Sequence, residues 1–104
     1  MTDNRRTSTR HTVSISATVT IDGALRECTV VNLSLGGALV ETGSKHPMGT
    51  RMQLAFKVPT MGEAIEVGST VRWADGKGVG LQFDGLRARD VWALNEYFKQ
   101  LGSS

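Results

Sequence analysis

The chain has one cysteine, Cys28, and two histidines, His11 and His46. A single cysteine excludes an internal disulfide and any site built from several thiolates. The histidines stand far apart and fit no metal-ligand spacing, so no metal site is expected. Cys28 reads as a small core residue and the histidines as surface residues. No apolar run approaches the roughly 20 residues that a membrane-spanning helix needs, which argues against membrane insertion. The N-terminus, Met1-Thr2-Asp3-Asn4-Arg5-Arg6, is polar and basic with no apolar stretch behind it. That is not the build of a signal peptide, and a cytoplasmic location is expected.

Catalytic constellations are also missing. An enzyme needs a nucleophile with its base, a carboxylate pair or a metal. The acidic residues (among them Asp22, Glu27, Glu41, Asp75 and Asp90) fall mostly in turns or on polar strand faces, and no nucleophile stands at a spacing that a base can serve. No catalytic role is therefore expected. Aromatic residues make up only 6% of the chain, and Phe56, Phe83 and Phe98 sit at expected core positions. A small basic barrel that binds single-stranded nucleic acid presents stacking aromatics on a charged groove instead. The formal net charge is only +2, too small by itself to imply a nucleic-acid polymer as partner.

What is present is an ordinary folding composition. The 104 residues are 39% hydrophobic and 21% charged, enough for one domain with one core. From Val13 apolar residues alternate with Ser and Thr through Val19 and Ile21, a strand with one buried face. Asp22-Gly23 is a hairpin turn signal, because both residues tolerate positive φ. A second strand follows from about Ala24 to Val31; its apolar residues share no single face, so a bulge is expected. The segment from Asn32 to Gly37 interrupts the chain, and a short strand resumes from Ala38 to Thr42.

After a loop from Gly43 to Gly49, alternation returns over Met52, Leu54, Phe56 and Val58, then over Ile65, Val67, Ser69, Val71 and Trp73. Asp75-Gly76 turns the chain into Val79, Leu81 and Phe83. Trp73 continues its strand's apolar alternation and so reads first as a core residue. The period then changes. Val91, Leu94, Phe98 and Leu101 form one helical stripe, ended by Gly102. Six short strands and a final helix predict an all-β fold with a C-terminal helix, closed as an antiparallel barrel.

Two segments carry candidate recognition chemistry. Arg5, Arg6 and Arg10 precede the first strand, with Arg6 and Arg10 in Arg-x-x-x-Arg spacing. Guanidinium forks grip a phosphate or the O6/N7 edge of guanine with paired hydrogen bonds, which lysine does not match. Taken alone, such a segment is more often a solvated basic tail. The second segment is Asn32-Leu33-Ser34-Leu35-Gly36-Gly37, an Asn-x-Ser-x-x-Gly pattern. Its short polar side chains bond locally or to a ligand, its paired glycines allow turns closed to other residues, and its backbone amides suit an anion. Alone, it is more often an ordinary turn.

Together, with one hairpin between them, the two segments resemble the PilZ family, whose pattern is Arg-x-x-x-Arg before the first strand and Asp/Asn-x-Ser-x-x-Gly after the second. Val71-Arg72-Trp73 and Gly78-Val79-Gly80-Leu81-Gln82-Phe83 are similar to the family's late strands, and the resemblance runs from about Arg5 to Leu101. It implies a six-stranded antiparallel PilZ-type β-barrel that binds cyclic di-GMP and signals to a separate protein partner. On this resemblance, residues 1–11 form a basic arm that orders on ligand binding. Residues 12–101 form the barrel with its helix at about 86–101, and 102–104 are a tail.

The site residues it implies are Arg6 and Arg10 on phosphates and guanine edges, Asn32 and Ser34 bonding the ligand, and Gly36 and Gly37 shaping the ledge for its close approach. Trp73 stands near a guanine. Arg5, just ahead of the motif, goes in the family with a stacked ligand dimer, so two cyclic di-GMP molecules per chain are expected rather than one. Some members of such a fold bind no nucleotide and act only as protein-interaction modules, but those typically lack the arginine motif.

Overall fold

The computed structural model describes residues 10–43, 46–74 and 78–102. Six strands follow in order: β1 (His11–Ile21), β2 (Ala24–Leu33), β3 (Gly37–Glu41), β4 (Arg51–Phe56), β5 (Ile65–Ala74) and β6 (Gly78–Phe83). One helix, α1 (Ala88–Gly102), ends the chain. All neighbouring strands pair antiparallel, and the sheet closes as β1-β2-β3-β6-β5-β4. Closure removes the unpaired edges that an open sheet of this size would present.

Alternation explains the interior. Val19, Leu54, Phe56, Ile65, Val67 and Val71 point inward and are nearly inaccessible. Their intervening neighbours Arg51, Gln53 and Glu66 face solvent. The Asp22-Gly23 turn takes positive φ at both residues, 51° and 82°, as its hairpin chemistry requires. The irregular second strand contains the expected bulge: its register to β3 slips between Val30 and Asn32. Strand β2 also runs two residues further than the alternation indicates, to Leu33. The turn expected at Asp75-Gly76 lies outside the described residues.

The helix packs on the barrel, but on a face turned from the expected stripe. Leu94 is buried as expected, yet its buried companions are Ala93 and Asp90, while Leu101 is exposed. A stripe drawn through the largest apolar residues overlooks a small alanine that permits close approach and an acid held by its own neighbour. Arg87 Nε donates to Asp90 Oδ2 at 3.2 Å. The carboxylate also stands in the first helical turn, where the helix dipole favours negative charge. Thr60 Oγ1 donates to the Ala93 carbonyl at 2.6 Å, and Arg89 pairs with Glu63 at 3.1 Å, tying α1 to the β4–β5 connection. At its other end the His11 ring stacks on Phe98, with centroids 4.1 Å apart. The first residue of β1 is thereby joined to the helix.

Candidate ligand-binding site

The turn between β2 and β3 is built around Ser34. Its backbone N–H donates to the Gly37 carbonyl at 2.9 Å. Its Oγ accepts from the N–H groups of Gly36 (3.2 Å) and Gly37 (3.1 Å) and donates to the Gly37 carbonyl at 3.2 Å. Ser34 is buried. Two things follow for the turn itself. The hydroxyl is committed to the turn rather than held out to a ligand, and the two glycine amides are occupied by that hydroxyl rather than bare for an anion.

Gly37 also has a reason within the fold. A Cβ at this position would lie 2.2 Å from the Leu81 carbonyl oxygen, because β3 and β6 run close together where Gly37 pairs with Gln82. Neither Gly36 nor Gly37 takes positive φ. The glycine fits a backbone close to backbone.

Across β6 the same face continues to β5, and here a bulge decides the chemistry. Val71 pairs with Leu81 and Trp73 with Gly80, so β5 has an extra residue, Arg72, at that point. A regular strand with Val71 inside would turn Trp73 inside too. The bulge re-aims it, and Trp73 is 40% exposed on the outer wall, which overturns its reading as core. Its indole lies on Gly80: a Cβ there would meet the ring at 2.3 Å. Gly80 is the space in which the tryptophan lies down.

These elements enclose a pocket of about 350 Å³. It brings together Arg10, Asn32, Ser34, Gly36, Gly37 and Trp73, all named as site residues from the sequence, and adds Arg72 and Gln82, which the sequence placed in late strands without a site role. Arg5 and Arg6 lie outside the described residues. None of the described residues lining the pocket is a carboxylate, so Arg10 and Arg72 make it cationic. Elsewhere Arg51 is paired with Asp84, Arg87 with Asp90 and Arg89 with Glu63. Among the described residues neither Arg10 nor Arg72 has such a partner. A pocket with two forked cations, an aromatic face and two amide side chains suits a planar base joined to phosphate.

A wider groove of about 630 Å³ on another part of the barrel has the opposite character, with Glu27, Glu41 and Lys57 around the half-buried Cys28. Burial pushes the Cys28 thiol up from 9.0 to about 11. The protonated thiol is a poor nucleophile. Alkylation by iodoacetamide should therefore be slow in the folded protein at pH 8 and climb as pH approaches 11, while urea-unfolded protein reacts readily by pH 9. The folded pKa is the higher one, so this group's contribution to stability is complete below about 9 and fades as pH rises toward 11. Equal alkylation rates for folded and unfolded chains at pH 9 would contradict this. Among the described residues no three His, Cys, Asp or Glu side chains are grouped to hold a metal ion. No described helix is long and apolar enough to cross a membrane.

The model of the PilZ domain family matches residues 4–100. Among solved structures, the Bacillus subtilis inhibitor of motility (MotI/DgrA) superposes with a TM-score of 0.78 at 21% identity, covering 94% of this chain and 51% of its own. The Borreliella burgdorferi PlzA protein in complex with c-di-GMP gives 0.71 at 20% identity, covering 91% of this chain and 41% of its own. The PilZ domain of CeSA from a cellulose-synthesizing bacterium gives 0.70 at 16% identity, over 89% of this chain and 98% of its own. The chain thus spans about half the length of the first two. No curated protein matches it.

Proposed function

The chain belongs to the PilZ domain family, and on that footing we propose that it is a cytoplasmic, non-catalytic receptor for cyclic di-GMP. The observation that carries the reading is the pocket between Arg10 and Trp73, closed by the Asn32–Gly37 turn, with no carboxylate among its described lining residues. PlzA, which shares the fold, holds this ligand in its solved structure. In the proposed complex Arg10, with Arg6 from the preceding segment, takes phosphates and a guanine edge. Asn32 bonds the ligand from the ledge, Ser34 and Gly37 hold the ledge in shape, and Trp73 offers a base a flat surface. Arg5 supports two ligands per chain. Titration calorimetry with cyclic di-GMP tests the receptor claim and counts the ligands.

Signalling follows from the neighbourhood of the site. Arg10 is bonded to His11, whose ring stacks on Phe98 of α1, and Trp92 on that helix is 59% exposed. We infer that ligand draws onto the pocket the basic arm assigned to residues 1–11, of which His11 already opens β1, and that arm, ligand and helix form the face read by a downstream protein. Amide exchange of residues 2–9 should slow at least tenfold on adding cyclic di-GMP. Unchanged exchange in protein saturated with ligand would remove the arm from the mechanism.

A further inference from the structure

We propose that Arg72 reads the O6/N7 edge of one guanine, the base that Trp73 supports. The inference rests on the receptor reading above and goes beyond it, because Arg72 belongs to neither sequence motif. The bulge in β5 sets two consecutive side chains on the same wall, an arrangement that a regular strand forbids. Both line the pocket. The backbone before Arg72 is fixed: the Gly49 N–H donates to the Val71 carbonyl at 2.8 Å, and the Val71 N–H donates to the Thr50 carbonyl at 2.9 Å. The guanidinium therefore springs from a held strand, and among the described residues no carboxylate competes for its fork.

Its neighbour decides what the fork meets. The indole lies with one side on Gly80, so a base that stacks on it takes the other side and presents an edge along the wall. A phosphate gains nothing from an indole, whereas a base gains its area. In the sheet order β1-β2-β3-β6-β5, Arg10 and Arg72 stand at opposite ends of the pocket's arc. Arg72 thus sits at the aromatic end, where a base is seated. Guanine places two acceptors, O6 and N7, on that edge; adenine places an amino donor beside N7 and would face the guanidinium with like polarity.

The test is a cycle between side chain and ligand atom, with affinities for cyclic di-GMP and its 7-deaza analogue, which lacks the N7 acceptor, measured on the full chain. Arg72→Ala should weaken cyclic di-GMP roughly tenfold or more, in the range for a bidentate base contact. The penalty for removing N7 should shrink at least threefold in that variant, as expected of groups that touch. Arg72→Lys, which keeps the charge but replaces the planar fork with a single ammonium, should bind more weakly than the parent and pay a smaller penalty for losing N7; it carries the test if thermal melting shows the alanine variant unfolded. Parent-like affinity in Arg72→Lys, or penalties that multiply in full, overturns the inference while leaving the receptor intact. Failure of the parent chain to bind cyclic di-GMP overturns the receptor reading and this inference with it.

Discussion

Arg10→Ala is expected to weaken cyclic di-GMP binding by about 2–5 kcal/mol, the cost of removing one member of a desolvated charge pair. That is about 30-fold to several thousand-fold in affinity. The size follows from the pocket's make-up. Arg10 and Arg72 are the cations among its described lining residues, and no carboxylate there offsets them. A phosphate closed into the pocket without Arg10 keeps its desolvation cost and loses its fork. The loss should also depend on salt: the parent's affinity falls as ionic strength rises, and that of Arg10→Ala falls less steeply because one ionic contact is gone. Arg10 is exposed and lies outside the core, so the melting temperature of the variant should match the parent's. Equal affinity in parent and variant would refute the placement of the ligand at this pocket.

Gly37→Ala should destabilise the fold by about 3 kcal/mol, the upper part of the range for forced backbone shifts. The new methyl would sit 2.2 Å from the Leu81 carbonyl oxygen, and a strand backbone in a closed barrel has little room to retreat. For a domain of this size the melting temperature should fall by something on the order of 12–20 °C. Gly85→Ala serves as the control, since nothing lies within 4 Å of the place its methyl would take. Urea unfolding checks both. A Gly37→Ala protein as stable as Gly85→Ala would show that β3 and β6 do not approach as closely as described.

Much of the barrel is legible in the sequence because alternation is a local property. Val19, Leu54 and Val67 announce their inward faces by their neighbours alone, and Asp22-Gly23 announces its turn by φ tolerance. The two motifs flank one hairpin, so pairing of β1 with β2 necessarily brings Arg10 near Asn32: His11 stands opposite Leu33. What the letters conceal depends on long-range geometry. Trp73 obeys its strand's alternation in sequence and breaks it in space, because the bulge against β6 adds a residue only the pairing reveals. Arg72 and Gln82 join the pocket only when β5 and β6 close beside β3. Ser34 stands out in sequence for its hydroxyl, but three local bonds keep that hydroxyl inside the turn. On the helix, a stripe of large apolar residues captures Leu94 but misses part of the buried face, because Ala93 and Asp90 are inside, by smallness in one case and pairing in the other.

The central claim, that this barrel receives cyclic di-GMP at the Arg10–Trp73 pocket, is tested most directly by isothermal titration with cyclic di-GMP, with GTP and cyclic di-AMP as controls. Saturable, selective heat that is lost in Arg6→Ala/Arg10→Ala is the predicted result, and its endpoint distinguishes one ligand per chain from two. No saturable heat from folded protein at high ligand would contradict the account and reassign the chain as a nucleotide-independent interaction module on the same barrel.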